Sequence, residues 1–306
     1  MEDYPKALSE LEKRFSTETA CLDYLRDLRW PDGIVCPKCG GVDMWVIGNG
    51  LHLCRSCRKK ISILQGTIFQ DSHLPLTTWF RAMWHVCVQK NGASALGLQR
   101  ALGLGSYRTA WMCLHKLRRA MVRPSRDKLC GFIEVDEAYL GGKKHGKRGR
   151  GAEGKNLVLI AAECDGKGIG RIRLSHIPDV SGITLCNTIG GMAKSGATVI
   201  TDGWTGYAGL EQVGYGHQTI RSDYSIGEDM LPRCHRVASL LKRWIMGTLQ
   251  GSFGPEHLLD YLDEFTFRFN RRTSRSRGKL FYRLAQQAVQ IEPVPYSKII
   301  ITQPVV

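Results

Sequence analysis

The chain has 306 residues, 43% hydrophobic and 23% charged, material for about two packed domains and neither a fibrous nor a disordered composition. Its 43 Lys and Arg against 28 Asp and Glu leave a net charge of +15 at pH 7 and a pI near 9.4, which points to a polyanionic partner, nucleic acid or an anionic membrane. The longest apolar runs, such as 157–162, fall far short of the ~20 residues of a membrane span, and the N-terminus Met-Glu-Asp-Tyr-Pro lacks the basic and apolar regions of a secretory signal.

A cytoplasmic, reducing compartment is therefore expected. In it the 11 cysteines are not disulfide partners: four fall in two Cys-x-x-Cys pairs, and Cys21, Cys87, Cys113, Cys130, Cys164, Cys186 and Cys234 read as scattered small hydrophobes. In chain order, helical patterns at 7–15 and 18–28, the second after a Ser16/Thr17 cap signal, precede the paired cysteines, giving a metal-organised module over 1–72. Residues 73–124 read as helices throughout, at 78–89, 93–102 and 107–121, and Pro124 ends them. From Cys130 the pattern turns to strands, at 132–139, 157–163, 169–176 and 198–201, with helices at about 183–192, 235–249 and 257–270. Strands followed by helices predict an α/β sheet domain covered by helices, assigned to 128–290, with a tail at 291–306.

Cys36-Pro-Lys-Cys39 and Cys54-Arg-Ser-Cys57 are separated by 14 residues, close to the spacing of a structural zinc site. Four thiolates suit a closed tetrahedron, and the segment from Trp45 to Leu53 reads as the hairpin of a zinc ribbon. Two redox motifs are the competing reading, but such motifs occur once, on a βα unit. His52 could replace a thiolate, although its strand position reads as structural.

The helix, Gly-containing turn and helix over 93–121 have helix-turn-helix spacing. The second helix would present Tyr107, Arg108 and Thr109 to base edges and Lys116, Arg118 and Arg119 to phosphates; the bland alternative is an ordinary helix pair with a solvated basic face. In Phe132-Ile-Glu-Val-Asp-Glu-Ala-Tyr139, alternation places Glu134 and Asp136 on one face of a strand, while Asp202 closes another apolar strand. Two strand-borne aspartates facing one cleft resemble half of a two-metal phosphoryl-transfer site. Lys143, Lys144, Lys147 and Arg148 in a Gly-rich segment, and the cluster 268–279 with Arg271 and Arg272, would lie along a phosphate backbone beside it.

These residues together resemble a known family, the DDE-type insertion-sequence transposases with an N-terminal zinc ribbon, within the RNase H-like integrase superfamily. Carrying the resemblance over nearly the whole chain are Arg29-Trp-Pro-Asp-Gly33 before Cys36-Pro-Lys-Cys39, Gly66-Thr-Ile-Phe69, Glu134-Val-Asp-Glu137 with Gly141-Gly-Lys143, Thr201-Asp-Gly203, and 261–272. It implies an RNase H-like catalytic domain behind the zinc ribbon and helix-turn-helix, with Asp136 and Asp202 as catalytic aspartates holding Mg²⁺ or Mn²⁺. Where the family presents Glu on a later helix, with Lys seven residues on, this chain has His235, 33 residues beyond Asp202, and Lys242. An imidazole ligates metal but adds no negative charge. Glu211, Asp223, Glu228 and Asp229 are nearby carboxylates on segments that read as loops, and a helix-start or core histidine is the alternative for His235 itself. The expectation is a transposase binding double-stranded DNA at its element's terminal repeats and at a target, at least dimeric during reaction and associated with a prokaryotic nucleoid. Its rivals are a non-catalytic remnant or zinc-ribbon regulator, and a nuclease without strand transfer.

Overall fold

The computed structural model describes residues 2–123, 125–141, 156–220, 230–250 and 254–300. The chain divides into two compact units, one formed by residues 1–124 together with those from Thr273 onward, the other by Ser125–Arg272.

The first unit begins with α1 (Leu8–Arg14) and α2 (Glu18–Arg29), whose N-cap Thr17 accepts from the amide of Ala20. Next come β1 (Met44–Gly48), β2 (Leu51–Cys54) and β3 (Lys60–Ser62), an antiparallel sheet in the order β1-β2-β3. Then follow α3 (Leu76–Val88), α4 (Ala95–Leu102) and α5 (Tyr107–Ala120). Ser94 and Ser106 cap α4 and α5, and Gly103, at φ +63°, ends α4 in the left-handed region that glycine reaches without strain. The first turn of α3 has no side-chain cap of its own; the Glu18 carboxylate accepts from the amides of Leu76 and Thr77 at 2.9 and 3.0 Å.

Two further helices, α9 (Arg277–Ala288) and α10 (Tyr296–Ile300), belong to this unit as well. Phe281 of α9 meets the rings of Phe15, Tyr24, Phe80 and Trp84, and a Cβ on Gly278 would overlap the Pro5 carbonyl. The boundary at 290 is thus corrected: the sheet unit ends at Arg272, because the apolar face of α9 finds its complement on α2 and α3.

The second unit is a five-stranded mixed sheet: β4 (Phe132–Leu140), β5 (Asn156–Asp165), β6 (Gly168–Ile177), β7 (Thr198–Thr201) and β8 (Gly216–Thr219), in the order β6-β5-β4-β7-β8. The β6-β5-β4 pairings are antiparallel, and β4-β7-β8 are parallel. Helix α6 (Gly182–Met192) covers one face, packing Leu185 and Ile189 on Ile133, Val135, Leu159 and Val199. The other face, with Ala138, Leu140, Ile160 and Leu174, is covered by α7 (Pro232–Leu249) and α8 (Leu258–Phe269). Burial on both faces explains the near-continuous apolar run of β5. This mixed α/β architecture is consistent with an RNase H-like domain.

Candidate active site and metal centre

In the ribbon the four cysteine Sγ atoms all lie within 4.8 Å of one another, with Cys36–Cys57 at 3.6 Å and Cys39–Cys54 at 3.5 Å. A tetrahedron with Zn–S bonds of ~2.3 Å has sulfur–sulfur edges of ~3.8 Å, so the donor set fits a closed zinc site. Desolvation pushes the Cys36 thiol up, but the backbone N–H groups of Lys38 and Cys39 overcome it and hold this thiol down at about 6. The N–H of Cys57, against desolvation and aided by that of Ser56, likewise lowers Cys54. These donors are the two knuckles that the Cys-x-x-Cys spacing predicts. His52 lies on β2, is buried, and stands outside the thiol cluster. Of the scattered cysteines Cys21, Cys87, Cys113 and Cys234 are buried, whereas Cys130 is exposed.

The acidic constellation is built on β4. Side-chain alternation sends Ile133 and Val135 toward α6, leaving Glu134 and Asp136 on the face covered by α7. Pro232 opens α7 at N1, and its N-cap, Leu231, has no side chain to offer the free amides. Glu134 supplies the missing acceptor from across the sheet: it is 2% exposed, takes the amides of Arg233 and Cys234 at 2.8 and 3.1 Å, and pairs with the Arg233 guanidinium at 2.5 Å. That guanidinium also donates to the Gly166 and Gly168 carbonyls in the β5–β6 turn.

With the first turn of α7 so anchored, His235 Nε2 lies 3.3 Å from Asp136 Oδ2. The parallel ladder of β4 and β7 pairs Ile133 with Val199 and Glu134 with Ile200; Ile200 packs on the face covered by α7, and Asp202 follows the last residue of β7. The second Asp136 oxygen accepts from the Glu137 amide at 2.9 Å, and Asp202 Oδ1 accepts from the Trp204 amide at 3.0 Å. Both carboxylates are thereby oriented by backbone. Nearby Tyr207 is 1% exposed, and burial first, then the charges of Glu137, Asp136 and Asp202, raise its hydroxyl far above the ordinary phenol range. Lys242 is exposed on α7, seven residues or ~10 Å beyond His235 on nearly the same helix face.

The sequence places Glu134 on this face without a role; its function as a cap was signalled by Pro232 at the helix start, a proline that brings no capping side chain with it. Glu211 falls on a short 3-10 turn, whereas Asp223, Glu228, Asp229, Lys143, Lys144, Lys147 and Arg148 lie outside the described residues.

The helix-turn-helix spacing is realised by α4 and α5. Tyr107 is exposed at the start of α5, whereas the Arg108 guanidinium lies 3.8 Å over the Tyr296 ring and Lys116 Nζ donates to the Gln70 carbonyl at 3.4 Å. Arg108 and Lys116 line a cavity of about 600 Å³ with Trp79 and Tyr296. Arg118 corrects the expectation of a phosphate contact: it is 2% exposed and donates to the Ala93 carbonyl at 3.3 Å, bracing the helix pair from within. Arg119 beside it is half-buried. At the end of α8, Arg271 stacks on Phe267, and Arg272 covers Phe269 while donating to the Gly170 and Ile169 carbonyls of β6.

A four-cysteine cluster of zinc-ribbon type and a mixed α/β sheet unit, in which Asp136 of β4 lies 3.3 Å from His235 of α7, frame the candidate site. Residues 16–60 match the transposase zinc-ribbon domain, and residues 128–270 match the ISXO2-like transposase domain. Over these two segments the chain is thus similar to ISXO2-like transposases that carry a zinc ribbon. It is also similar to a protein of the transposable element ISH50 from Halobacterium salinarum, 25% identical over 294 residues that cover 87% of this chain and 95% of that one. Among the described residues no helix is long and apolar enough to cross a membrane.

Proposed function

We propose that the chain is a transposase that binds the terminal inverted repeats of its insertion sequence and catalyses metal-dependent DNA strand cleavage and strand transfer. The observation that carries this reading is the approach of His235 to within 3.3 Å of Asp136 on the sheet face covered by α7; Asp202, just beyond the end of the neighbouring strand β7, is read as the third member of the site. Carboxylates brought together in this way would repel each other until a cation joined them, and an oxygen-rich set with one imidazole suits Mg²⁺ or Mn²⁺. Ions held there supply activation of the attacking oxygen and charge stabilisation of the departing one. The backbone amides of Glu137 and Trp204 fix the two carboxylates, Glu134 fixes the helix that carries His235, and Lys242 contacts phosphate beside the reacting end. Water is the first nucleophile and the freed 3′-hydroxyl the second. Joining two element ends to one target calls for at least two copies of the chain.

The test is nicking of a duplex bearing the element's own ends in the presence of Mg²⁺ or Mn²⁺. Asp136→Ala and His235→Ala should each lower the rate about 10²-fold or more. The histidine at the third position favours a second reading, a DNA-binding remnant without chemistry; duplex binding with no nicking by any of the three proteins would support it, and equal nicking by wild type and both variants would remove the catalytic assignment of Asp136 and His235. Cut ends that never join a target duplex would identify a nuclease instead.

A further inference from the structure

The ribbon exposes a face that zinc binding does not use. Val42, Val46 and Ile47 are 72%, 75% and 45% exposed, and Trp45 beside them is 39% exposed. They belong to or adjoin β1, an edge strand of the small sheet. Alternation sends Met44 inward with Cys54 and turns Trp45 outward, where the register aligns it with Leu53 and then Lys60 in one row across the sheet. Over the Trp45 ring stand two guanidinium groups from the second knuckle, Arg58 at 4.7 Å and Arg55 at 5.1 Å. Residues 34–62 contain five basic side chains, Lys38, Arg55, Arg58, Lys59 and Lys60, against one acid, Asp43, which pairs with Arg55 at 3.2 Å.

We infer that this outer face, centred on Trp45 with Arg55, Arg58 and Lys60, is a docking surface for the DNA backbone. The inference deepens the proposed function and rests on its reading of DNA as the substrate. Stacking on an indole orders a guanidinium before any partner arrives, so less side-chain entropy is lost when it takes a phosphate. Ile47, which alternation turns to the same side as Trp45 and which is 45% exposed, gives the sugar edge an apolar surface to cover. Charge complementarity selects the occupant: a two-fold contact of this face with a second copy would set arginine against arginine, whereas a duplex offers phosphates along the whole row.

The experiment measures binding of the full-length protein to a fluorescent mixed-sequence duplex by anisotropy between 50 and 200 mM NaCl. Each phosphate left without its cationic side chain lowers the slope of log affinity against log salt by ~0.9, so Arg55→Ala/Arg58→Ala together should flatten it by ~1.8. Trp45→Phe, which keeps a ring beneath the guanidiniums, should bind close to wild type, and Trp45→Ala should bind more weakly. Zinc content, measured for every variant, must stay at the wild-type value, so that an unfolded ribbon is not mistaken for a missing phosphate interaction. An unchanged slope and affinity in the double variant, with wild type binding normally, overturns this surface while leaving the transposase reading intact; so does an equal flattening by Lys13→Ala, an exposed charge elsewhere in the same unit. A Trp45→Ala protein that changes oligomeric state in sedimentation but keeps its salt slope would assign the face to a second copy. A wild-type protein that binds no duplex in this range overturns both readings.

Discussion

His235 gives this site its particular chemistry. In the proposed site its imidazole, 3.3 Å from Asp136, would bring a nitrogen ligand where a carboxylate would bring charge, leaving the field felt by a cation to Asp136 and Asp202. Affinity for a hard divalent cation rises with the number of charged oxygen ligands. His235→Glu should therefore tighten Mn²⁺ binding on the order of tenfold, read by titration calorimetry. Unchanged affinity would remove His235 from the ligand set, whatever happens to activity. The facing of Glu134 and Asp136 was legible in the sequence because strand alternation is a local property. The approach of His235 to Asp136 was expected only from the resemblance, because it depends on where α7 begins, and that start is braced by a carboxylate 99 residues earlier in the chain.

Helix α7 is the element through which that carboxylate acts. Glu134 offers two lone pairs to the first-turn amides and an ion pair to Arg233, with side-chain exposures of 3% and 20% for the pair. Glu134→Ala leaves two first-turn amides without their acceptor and a partly exposed guanidinium without its counter-charge, and should cost about 1–3 kcal/mol in chemical denaturation, with Glu134→Gln losing less because an acceptor remains. A cost under ~0.5 kcal/mol would show that α7 is held by its apolar face alone. Helix α8 predicts a pH effect. Burial raises Asp263 to about 7 against the opposing charge of Arg126, which is 3.6 Å away. The folded state then binds a proton more tightly than the unfolded state, so stability falls as pH rises from about 4 to 7 and stays lower above. Asp263→Asn should flatten that decline in urea melts, and a decline of unchanged slope would assign it to other groups. Most helices and the first four strands of the second unit were legible, their periodicities being strong. Strand β8 was not, because Gly-His-Gln-Thr is short, polar and at the sheet edge, where no apolar alternation is required.

At the scale of the whole molecule, domain organisation was the least legible property, since contacts across distant sequence leave no local periodicity. Leu280, Phe281, Leu284, Ala285 and Ala288 form one apolar stripe of α9, with Ser276 as its cap, so the helix itself can be read from sequence; the surface it covers cannot. Basic residues over 268–279 tie this stretch visually to the preceding acidic site, yet the chain crosses from one unit to the other at Arg272 and Thr273. Phe281, fully buried, has ring centroids 5.6 Å from Phe80, 6.0 Å from Phe15 and Trp84, and 6.3 Å from Tyr24. Phe281→Ala removes a ring from this aromatic cluster and leaves a cavity, at a cost of about 3–5 kcal/mol. Because the cluster belongs to the first unit, hydrogen exchange should accelerate in α2, α3 and α9 while amides of β4, β5 and β6 keep their protection. Loss of protection spread through those strands would instead place residues 277–288 in the sheet domain, as a boundary at 290 requires.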